Sequence, residues 1–171
     1  MPYAAAAGLA AEVRRRLRVA GRARQQLRVV GSLRRREAEV RDLDLLLVRQ
    51  PGPMVLSFAR ARFGDRISGW RGISDGPRRQ TLVLAIGKKE VRLDIFVATE
   101  AELPYALFHY TGSRGYNIRT RALAKKKKWL LNQYGLFGAD GRRVRGSAAV
   151  CTERDLALLL GVSYRRPAAR T

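Results

Sequence analysis

The sequence predicts an α+β fold, with a strand-rich part over residues 1–98 and a small, mostly helical part over residues 99–171 that contains a short β element. Two patterns lead to this prediction. Short apolar strands bounded by Gly, Pro and Ser dominate the first part, whereas helical periodicity with capping residues dominates the second. The chain has 171 residues, 46% of them hydrophobic, which is enough for one ordinary domain or two small domains that share a core.

The first predicted element is a helix over residues 3–20, in which Leu9, Val13 and Leu17 recur every four residues. This spacing places the three apolar side chains on one face of an amphipathic helix and leaves the arginines outside. The arginines of this segment are Arg14, Arg15, Arg16, Arg18, Arg22 and Arg24. They make the helix a candidate basic surface.

Two strands with a short helix between them follow. The stretch "QLRVVGSL" ends in an apolar run that Gly31 and Ser32 interrupt, as at the end of a buried strand. Ser32 also stands at the N-cap position of a brief helix, because good helix formers follow it in "SLRRREAEV". The leucine-rich "RDLDLLLV", residues 41–48, is the clearest strand in the sequence.

The rest of the strand-rich part is predicted as a helix, a hairpin-like segment and two strands. The helix, "MVLSFARARF", is expected to cover one face of the sheet. Residues 64–79 contain four glycines and are expected to be anchored by Ile67 and Trp70. The stretches "TLVLAIG" and "EVRLDIFVA" then form two strands joined by a tight turn at residues 87–89.

Helical patterns dominate the second part. "EAELPYALFHY" and "SRGYNIRTRALAKKKK" are predicted helices, the second capped by Ser113. A small β element follows, made of "WLLNQYGLF" and "RRVRG" on either side of a turn at residues 139–141. The last helix, "TERDLALLLG", has Thr152 as its N-cap and Gly161 as its stop, and the final "PAART" is expected to be frayed.

The charge of the chain indicates a polyanionic partner. Lys and Arg number 35 against 14 Asp and Glu, so the formal net charge is +21, and the pI is near 11.5. Residues 1–36 carry ten basic and one acidic residue, and residues 113–145 carry ten and one, but residues 37–112 carry eleven and ten. Carboxylates repel phosphate, so an acid-containing middle between two basic flanks indicates that a cation lies between the carboxylates and the polyanion.

Several function classes are excluded or disfavoured by what the sequence lacks. Cys151 is the only cysteine, which excludes an intrachain disulfide and a cysteine-based zinc cluster and is compatible with a reducing compartment. The alanine-rich N-terminus does not have the pattern of a signal peptide, and no apolar stretch approaches the length of about 18 residues that a membrane span needs. We therefore expect a soluble, intracellular protein with no membrane partner.

Three aspartates are the candidate catalytic residues. Residues i and i+2 of a strand face the same side, so Asp42 and Asp44 place two carboxylates together, while Leu43 and Leu45 face the other way. Asp94 lies alone in the apolar strand "VRLDIFV", where an unpaired charge would be costly. Mg²⁺ prefers such oxygen ligands. Three aspartates around two Mg²⁺ ions, with Mn²⁺ as a substitute, would form a clamp for in-line phosphoryl displacement.

The stretch just before these aspartates is suited to phosphate. Gly31 lets the backbone approach a ligand closely, and Ser32 offers a hydroxyl and a helix start. Arg35 lies three residues further on, on the same side of that helix, and can reach the same phosphate. "GSLRR" would therefore hold a triphosphate while "DLD" holds its metals. A Gly-Ser turn before a helix is common in proteins, so this motif alone is weak.

These motifs together resemble the family X DNA polymerases. The chain contains "GSLRR", "DLD", "RLDIF", "HYTGS" and "RALAKKKKWLLNQYGLF" in the family's order, and the likeness covers essentially its whole length. Within the family, a small viral member shares the length class. The resemblance implies a nucleotidyltransferase-type palm, a mixed β-sheet with helices on one face, over residues 1–98. A C-terminal domain that binds nucleotide and DNA would occupy residues 99–171.

The resemblance also implies roles for individual residues. Asp42, Asp44 and Asp94 match the metal-binding aspartates, and Asp94 matches the acceptor of the primer hydroxyl proton. Gly31, Ser32 and Arg35 match the triphosphate-binding positions. The residues that match positions near the sugar, base or template are His109, Tyr110, Gly112, Asn117 and Arg121. His109 stands where a tyrosine is commonest in the family.

A run of lysines is the candidate DNA-binding surface. Lys125, Lys126, Lys127 and Lys128 end a helix that also carries Arg119, in a segment of net charge +9. Such a run is usually only a solvated face, but this concentration of charge is suited to phosphate contact. The basic first helix is a second such surface.

The first lysine of the chain is Lys88, so no side-chain Schiff base can form in the N-terminal third. Family members that repair base-excision gaps carry a lyase domain with such a lysine, and lyase activity is therefore not expected.

Three functions remain open from the sequence. The leading one is a monomeric, template-directed DNA polymerase that fills gaps or extends a primer on duplex DNA with deoxynucleoside triphosphates (dNTPs). If the source is a virus, the enzyme would act in the virion or at a cytoplasmic replication site of the host cell. The second is a minimal nucleotidyltransferase that acts on RNA or another acceptor, and the third is a basic nucleic-acid-binding protein with structural aspartates and no catalysis.

Overall fold

The computed structural model describes residues 1–19, 26–49 and 67–170. The helices are α1 (Tyr3–Val19), α2 (Gly31–Arg34), α3 (Leu103–Thr111), α4 (Arg114–Lys126) and α5 (Glu153–Leu160). The strands are β1 (Gln26–Val29), β2 (Leu43–Val48), β3 (Gly69–Asp75), β4 (Arg79–Ile86), β5 (Lys89–Ala98), β6 (Leu130–Asn132) and β7 (Gly135–Phe137). This mixture of helices and sheets confirms the α+β class.

Some of the predicted features lie outside the described residues. They are the helix over residues 54–63, the start of the hairpin-like segment over residues 64–66, and the positions of Arg22 and Arg24. Within the described ranges, no helix is both long enough and apolar enough to cross a membrane.

One five-stranded sheet carries the acidic strands. Its order is β1-β2-β5-β4-β3, in which β2 and β5 are parallel and the other neighbours are antiparallel, so the sheet is mixed. The parallel register pairs Asp44 directly with Asp94. On the other side of β5, Thr81 lies opposite Asp94. Residues directly opposite each other in a sheet point to the same face, so all three side chains share one face.

Alternation along the strands separates the core from the acidic face. Leu43, Leu45 and Leu93 are buried with Leu9 and Val13 of α1 in one apolar cluster. The opposite face carries Asp44 and Asp94 side by side on neighbouring strands. Further along the same strands, this face packs against α3 in a second apolar cluster. The burial of the leucines of β2 away from the aspartates confirms that part of the prediction.

The short helix after β1 begins earlier than predicted. It runs over Gly31–Arg34, and its N-cap is Val30, so the predicted capping role of Ser32 is wrong. The reason is that Gly31 takes a left-handed conformation, with a φ of 63°, and enters the helix itself. Arg36, with a φ of 60°, then turns the chain out of the helix and ends it well before residue 40.

Two predictions for the hairpin-like segment have different outcomes. Ile67 is buried, as predicted, but Trp70 is 38% exposed and does not anchor the segment. Trp70 lies on β3, the edge strand of the sheet, where a side chain has neighbours on one flank only. Gly87 and Lys88 form the predicted turn between β4 and β5, and Gly87 has a φ of 58°.

The short β element of the second part is folded differently from the prediction. The predicted single strand "WLLNQYGLF" is a hairpin of β6 and β7, because the side-chain Oδ1 of Asn132 accepts hydrogen bonds from the backbone of Tyr134 and Gly135. Such an Asx turn reverses the chain locally. "RRVRG" contributes only the isolated bridge between Phe137 and Arg143.

The helix caps of the second part are as predicted. Ser113 accepts a hydrogen bond from the backbone of Tyr116 at the start of α4, and Thr152 accepts one from the backbone of Asp155 at the start of α5. Gly161 ends α5 with a φ of 77°. A 3₁₀ turn over Glu100–Glu102, outside α3, forms the start of the helix predicted in "EAELPYALFHY".

The prediction of a frayed C-terminal segment is wrong for its described residues. Pro167–Ala169 form a 3₁₀ turn, and Arg170 after it is only 1% exposed. Its guanidinium donates a hydrogen bond of 2.8 Å to Glu153 at the start of α5. A buried ion pair of this kind holds the segment against the helix.

Candidate active site

Gly31 is packed directly against the carboxylate of Asp44. The backbone N–H of Val30 donates to the carbonyl oxygen of Asp44 at 2.9 Å, which fixes α2 beside β2. A β-carbon on Gly31 would lie 2.0 Å from Oδ2 of Asp44 and 2.9 Å from its Cβ. The positive φ of Gly31 excludes most side chains as well. The sequence predicted a close approach of Gly31 to a ligand, and the close contact that the structure describes is with a carboxylate of the chain itself.

An open cleft of about 570 Å³ lies beside this contact, and we call it the aspartate cleft. It is lined by Gly31, Ser32, Arg35, Asp42, Asp44, Phe96, His109, Tyr110, Gly112, Arg114, Asn117, Ile118 and Arg121. Ten of these residues are site residues predicted from the sequence. They come from α2, β2, α3 and α4, so the fold brings together motifs that lie up to 90 residues apart.

Like charges meet at Asp44. Burial first, and then the neighbouring carboxylates of Asp42 and Asp94, raise the pKa of its carboxyl to about 7, although Arg35 and Arg79 act in the opposite direction. Asp42 lies just before β2 rather than within it, but still lines the cleft. Asp42 and Asp44 thus line the cleft together, whereas Asp94 is not among its lining residues.

Asp94 is the deepest of the three aspartates, at 4% exposure. Its Oδ1 accepts hydrogen bonds from the hydroxyl of Thr81 and from Nη2 of Arg79, the latter at 3.1 Å. Nε of Arg92 lies 3.0 Å from its Oδ2. Both oxygens are therefore engaged by arginines, and the described part of the chain contains no group of three carboxylate, histidine or cysteine side chains placed to hold a metal ion.

The predicted phosphate-binding residues line the cleft. The hydroxyl of Ser32 is buried and has no hydrogen-bond partner, which leaves a donor available on the cleft wall. Arg35 donates to the backbone carbonyl of Thr111 and, through Nε, to Glu37 at 2.8 Å. Arg35 thereby connects α2 to the end of α3.

His109 is held by two residues of α4. Nη2 of Arg121 lies 2.8 Å from Nδ1 of His109, and the side-chain amide of Asn117 donates to the His109 carbonyl at 2.7 Å. A guanidinium can only donate, so Nδ1 accepts and the ring proton is on Nε2. Burial, and next the charge of Arg121, lower the pKa of His109 to about 4, so the ring is neutral at pH 7.

Tyr110 extends the aromatic wall of the cleft. Its ring stacks on Phe96 with a centroid distance of 3.9 Å and an angle of 14° between the planes. Burial, and then the neighbouring Tyr134, raise the pKa of its hydroxyl to about 12. Arg79, which pairs with Asp94, also lies over the Phe96 ring at 5.4 Å.

Sequence reasoning missed four residues of this site: Phe96, Arg79, Arg114 and Ile118. One signal was available for Phe96, because it stands two residues after Asp94 and so shares its face of the sheet. Arg79 lies opposite Phe96 on β4, and this pairing depends on a strand register that the sequence does not state.

A second group of charges, the Glu153 cluster, lies next to the cleft and was also missed. Oε2 of Glu153 lies 2.5 Å from Nη2 of Arg34 on α2, and Oε1 lies 2.8 Å from Nη1 of Arg170. Arg34 also donates to the hydroxyl of Thr111. Nη2 of Arg170 is buried without a hydrogen-bond partner. The guanidinium lies 5.1 Å from the centroid of the Phe108 ring, which is a favourable neighbour for a cation.

The predicted DNA-binding residues lie outside the cleft. Lys125 and Lys126 are in the last turn of α4, and Lys127 and Lys128 follow it, all of them exposed. The ammonium of Lys127 lies 5.0 Å from the centroid of the Trp129 ring. Arg119 is exposed on the same helix.

The sequence is similar to those of several known DNA polymerases. Residues 106–171 match the family model of the DNA polymerase beta thumb. Repair DNA polymerase X of African swine fever virus (isolate Pig/Kenya/KEN-50/1950) is 38% identical over 139 residues, which are 81% of this chain and 78% of that protein. DNA polymerase lambda of Rattus norvegicus is 38% identical over 91 residues, which are 49% of this chain and 16% of that protein.

A human relative gives the same result. DNA-directed DNA/RNA polymerase mu of Homo sapiens is 35% identical over 83 residues, which are 48% of this chain and 16% of that protein. These similarities confirm the resemblance and the enzyme class predicted from the sequence, a DNA-directed DNA polymerase. The chain therefore belongs to the family X DNA polymerases.

Proposed function

We propose that this chain is a gap-filling polymerase of the repair type, which adds a dNTP to a primer 3′-hydroxyl on a DNA template and releases pyrophosphate. One observation carries the proposal: Asp44 lies directly opposite Asp94 in parallel strands, beside Asp42 and the Gly31 turn. The names of its relatives, which include repair DNA polymerase X, support the choice of DNA as substrate and of repair as the process.

Asp42, Asp44 and Asp94 are proposed to hold two divalent cations, Mg²⁺ or Mn²⁺ in its place. The carboxylate oxygens suit such hard cations, and a cation would offset the burial and the like charges that raise the pKa of Asp44. At Asp94, each cation competes with the guanidiniums of Arg79 and Arg92. Bound cations would activate the primer hydroxyl and stabilise the leaving pyrophosphate.

The chain's own residues position the reactants. Ser32 and Arg35 are proposed to bind oxygens of the triphosphate, through the unpartnered hydroxyl and the guanidinium. Gly31 lets α2 lie against Asp44, so that the phosphate site and the acidic site share one wall. Asp94 is proposed to accept the proton of the primer hydroxyl as the new phosphodiester bond forms.

The opposite wall of the cleft is proposed to hold the sugar and the base. Tyr110 and Gly112 would contact the sugar, and His109, Asn117 and Arg121, joined by the hydrogen bonds described above, would lie near the base and the template. DNA phosphates would contact Arg119, Lys125, Lys126, Lys127 and Lys128. In this arrangement residues 1–98 are the palm and residues 99–171 the nucleotide- and DNA-binding domain.

We also propose that the described chain acts as a monomer and without lyase activity. Residues 1–87 contain no lysine, so no side chain there can form a Schiff base with an abasic sugar. Borohydride treatment in the presence of 5′-deoxyribose-phosphate DNA should therefore give no covalent adduct through this segment.

The decisive test is extension of a duplex with a one-nucleotide gap in the presence of Mg²⁺ and dNTPs. Asp44→Ala should reduce the rate of extension by about a thousandfold or more while leaving duplex affinity nearly unchanged. Asp140→Ala, on the exposed turn after β7, is the matched control and should extend normally.

Two other results would contradict the proposal. Transfer of the nucleotide to RNA or to another acceptor in preference to the gapped duplex would favour a minimal nucleotidyltransferase. Duplex binding without extension, with either Mg²⁺ or Mn²⁺, would favour a binding protein with structural aspartates.

A further inference from the structure

A second groove, of about 520 Å³, lies at the far end of α4. We call it the Trp129 groove. Lys125 and Lys128 lie on one side of it, Trp129 and Phe137 offer partly exposed aromatic rings, and the neighbouring Leu130 is 59% exposed. Cations beside aromatic and apolar groups are the combination that binds a nucleic-acid strand whose bases are unpaired.

One face of α4 joins this groove to the aspartate cleft. Arg114, Ile118, Arg121, Lys125 and Lys128 follow each other at intervals of four, three, four and three residues. This spacing keeps the first four on one side of α4, Lys128 follows the end of the helix, and all five are exposed. The first three line the aspartate cleft and the last two line the Trp129 groove. At about 1.5 Å per residue, the 13 residues of α4 separate the two sites by roughly 20 Å.

The indole of Trp129 is held in place by the protein. The ammonium of Lys127 lies 5.0 Å from the ring centroid and also lies 3.4 Å from the carbonyl oxygen of Leu159 on α5, to which it donates. This contact fixes the end of α4 against α5 and presents Trp129 at the groove. A ring held in this way loses little conformational freedom when a base stacks on it.

We propose that the Trp129 groove binds unpaired nucleotides of the template strand ahead of the primer end. The proposal rests on the proposed polymerase function, which supplies a template, and on the basic face of α4 that leads from the aspartate cleft to the groove. The stripe of basic residues on α4 would contact the phosphates between the two sites, and Trp129 and Phe137 would stack on bases. A base pair hides these stacking faces, so the groove favours single strands over duplex.

The first experiment follows the fluorescence of Trp129. The chain has two tryptophans, and Trp70→Phe on the edge strand leaves Trp129 alone. This variant is titrated with primer-template DNA that carries a template overhang of either one or about eight nucleotides, a length within the usual site size of single-strand binders. Quenching of Trp129 by the long overhang only is the expected result. Equal quenching by both substrates, or none, would overturn the proposal.

The second experiment keeps the indole and changes the charges. Lys125→Gln with Lys128→Gln should reduce the slope of log affinity against log salt on the long overhang by about 0.7 for each lysine. The double variant Lys88→Gln with Lys89→Gln, in the turn between β4 and β5, makes the same charge change elsewhere and should leave that slope unchanged. An equal reduction of this slope in the two double variants would indicate that the net charge of the chain, and not the position of the lysines, determines the salt dependence. That result would overturn the proposal.

The third experiment separates this inference from the proposed function. Trp129→Leu should weaken binding of the long overhang by about tenfold and leave extension of a one-nucleotide gap nearly unchanged. If the wild-type chain does not extend any primer, the proposed function fails, and quenching that depends on overhang length still reports the groove. If extension is normal and affinity does not depend on overhang length, the groove proposal alone fails.

Discussion

The Glu153 cluster and the aspartate cleft both consist of carboxylates and arginines, yet their charge balance is opposite. In the cluster, one carboxylate is shared by two guanidiniums, those of Arg34 and Arg170, and is almost fully buried. At the acidic site, Arg79 and Arg92 pair with Asp94, while Asp42 and Asp44 line the open cleft. The carboxylate of the first group is paired within the protein on both oxygens, whereas burial and neighbouring carboxylates raise the pKa of Asp44 in the second.

This difference separates a structural site from a functional one. A buried carboxylate with all its partners in place contributes a fixed connection, here between α2, α5 and the segment that holds Arg170. A carboxylate that is buried beside like charges destabilises the folded chain when it is ionised, and a proton or a bound cation relieves this cost. The raised pKa of Asp44 marks the second kind. Four changes to the chain test the contrast.

Arg170→Ala should have the largest effect, because it removes half of the charge that balances the buried Glu153. We expect the free energy of unfolding to fall by about 3 kcal/mol or more, which corresponds to roughly 6–12 °C in Tm. Urea denaturation measures the change. Arg166→Ala, at an exposed position four residues earlier, should lie within about 0.5 kcal/mol of wild type. Equal effects of the two substitutions would show that the cluster is not a structural connection.

Gly31→Ala should have the next largest effect and should act on catalysis. Its β-carbon would lie 2.0 Å from Oδ2 of Asp44, so either the carboxylate or α2 must move. We expect extension of a gapped duplex to fall by about a hundredfold, measured in single turnover, with duplex affinity retained. Gly69→Ala is the control, since a β-carbon there meets nothing within 4 Å. Normal activity of Gly31→Ala would show that the contact with Asp44 is dispensable.

Asp44→Asn should stabilise the metal-free chain while it abolishes extension. The pKa of Asp44 is raised from 3.8 to about 7, so between these values the folded chain holds a proton that the unfolded chain has lost. Stability of the wild type therefore falls as pH rises through this window. The variant should be more stable above pH 7 by about 1–2 kcal/mol, or roughly 2–8 °C in Tm, and no more stable below pH 4.

Two measurements accompany this variant. Mg²⁺ should raise the Tm of the wild type more than that of Asp44→Asn, because the carboxylate is the proposed ligand. Asp140→Asn should show neither the gain in stability nor the altered response to Mg²⁺. If Asp44→Asn is instead less stable than the wild type at pH 8, the ionised carboxylate of Asp44 stabilises the folded chain, as that of Glu153 does, and the contrast between the two sites is wrong.

The smallest expected effect concerns His109, which borders the cleft and is the only histidine of the chain. Burial, followed by the charge of Arg121, lowers its pKa to about 4. The histidine ring signals in NMR should therefore titrate with a midpoint near 4, and the stability that neutral His109 contributes should decline as pH falls from about 6.5 towards 4.

Arg121→Gln should raise the His109 midpoint, because it removes a positive neighbour. Lys125→Gln, one helical turn further along α4, makes the same change in charge and should leave the midpoint where it is. A wild-type midpoint near 6.5 would show that His109 is open to water and that the boundary of the cleft lies elsewhere.

The sequence predicted those features that depend on neighbouring residues. Alternation in "RDLDLLLV" was sufficient to place Asp44 opposite the leucines, and Ser113 and Thr152 were recognised as caps because a cap requires only the next three residues. The phosphate, acidic and aromatic motifs were recognised one by one. Their gathering at one cleft, however, was implied by family resemblance and not by any of these patterns.

The features that were missed depend on packing between distant segments. Arg170 lies in a short polar stretch that has the composition of a loose end, and only its burial against Phe108 and Glu153 orders it. Ser32 fits the rule for a cap, but Gly31, packed against Asp44, is itself part of the helix, and the N-cap lies two residues earlier, at Val30. Arg79 reaches Asp94 only because β4 lies beside β5 in one particular register.

The pairing of Asp44 with Asp94 decides which changes in chain length this molecule can accept. One residue inserted into β2 ahead of Asp44 would turn its carboxylate toward α1 and bring a leucine into its place. Two inserted residues would restore the orientation but displace the carboxylate by about 7 Å along the strand. Homologues that differ in length should therefore carry their insertions and deletions in connections such as residues 76–78 and 139–141, and keep the spacing within these two strands unchanged.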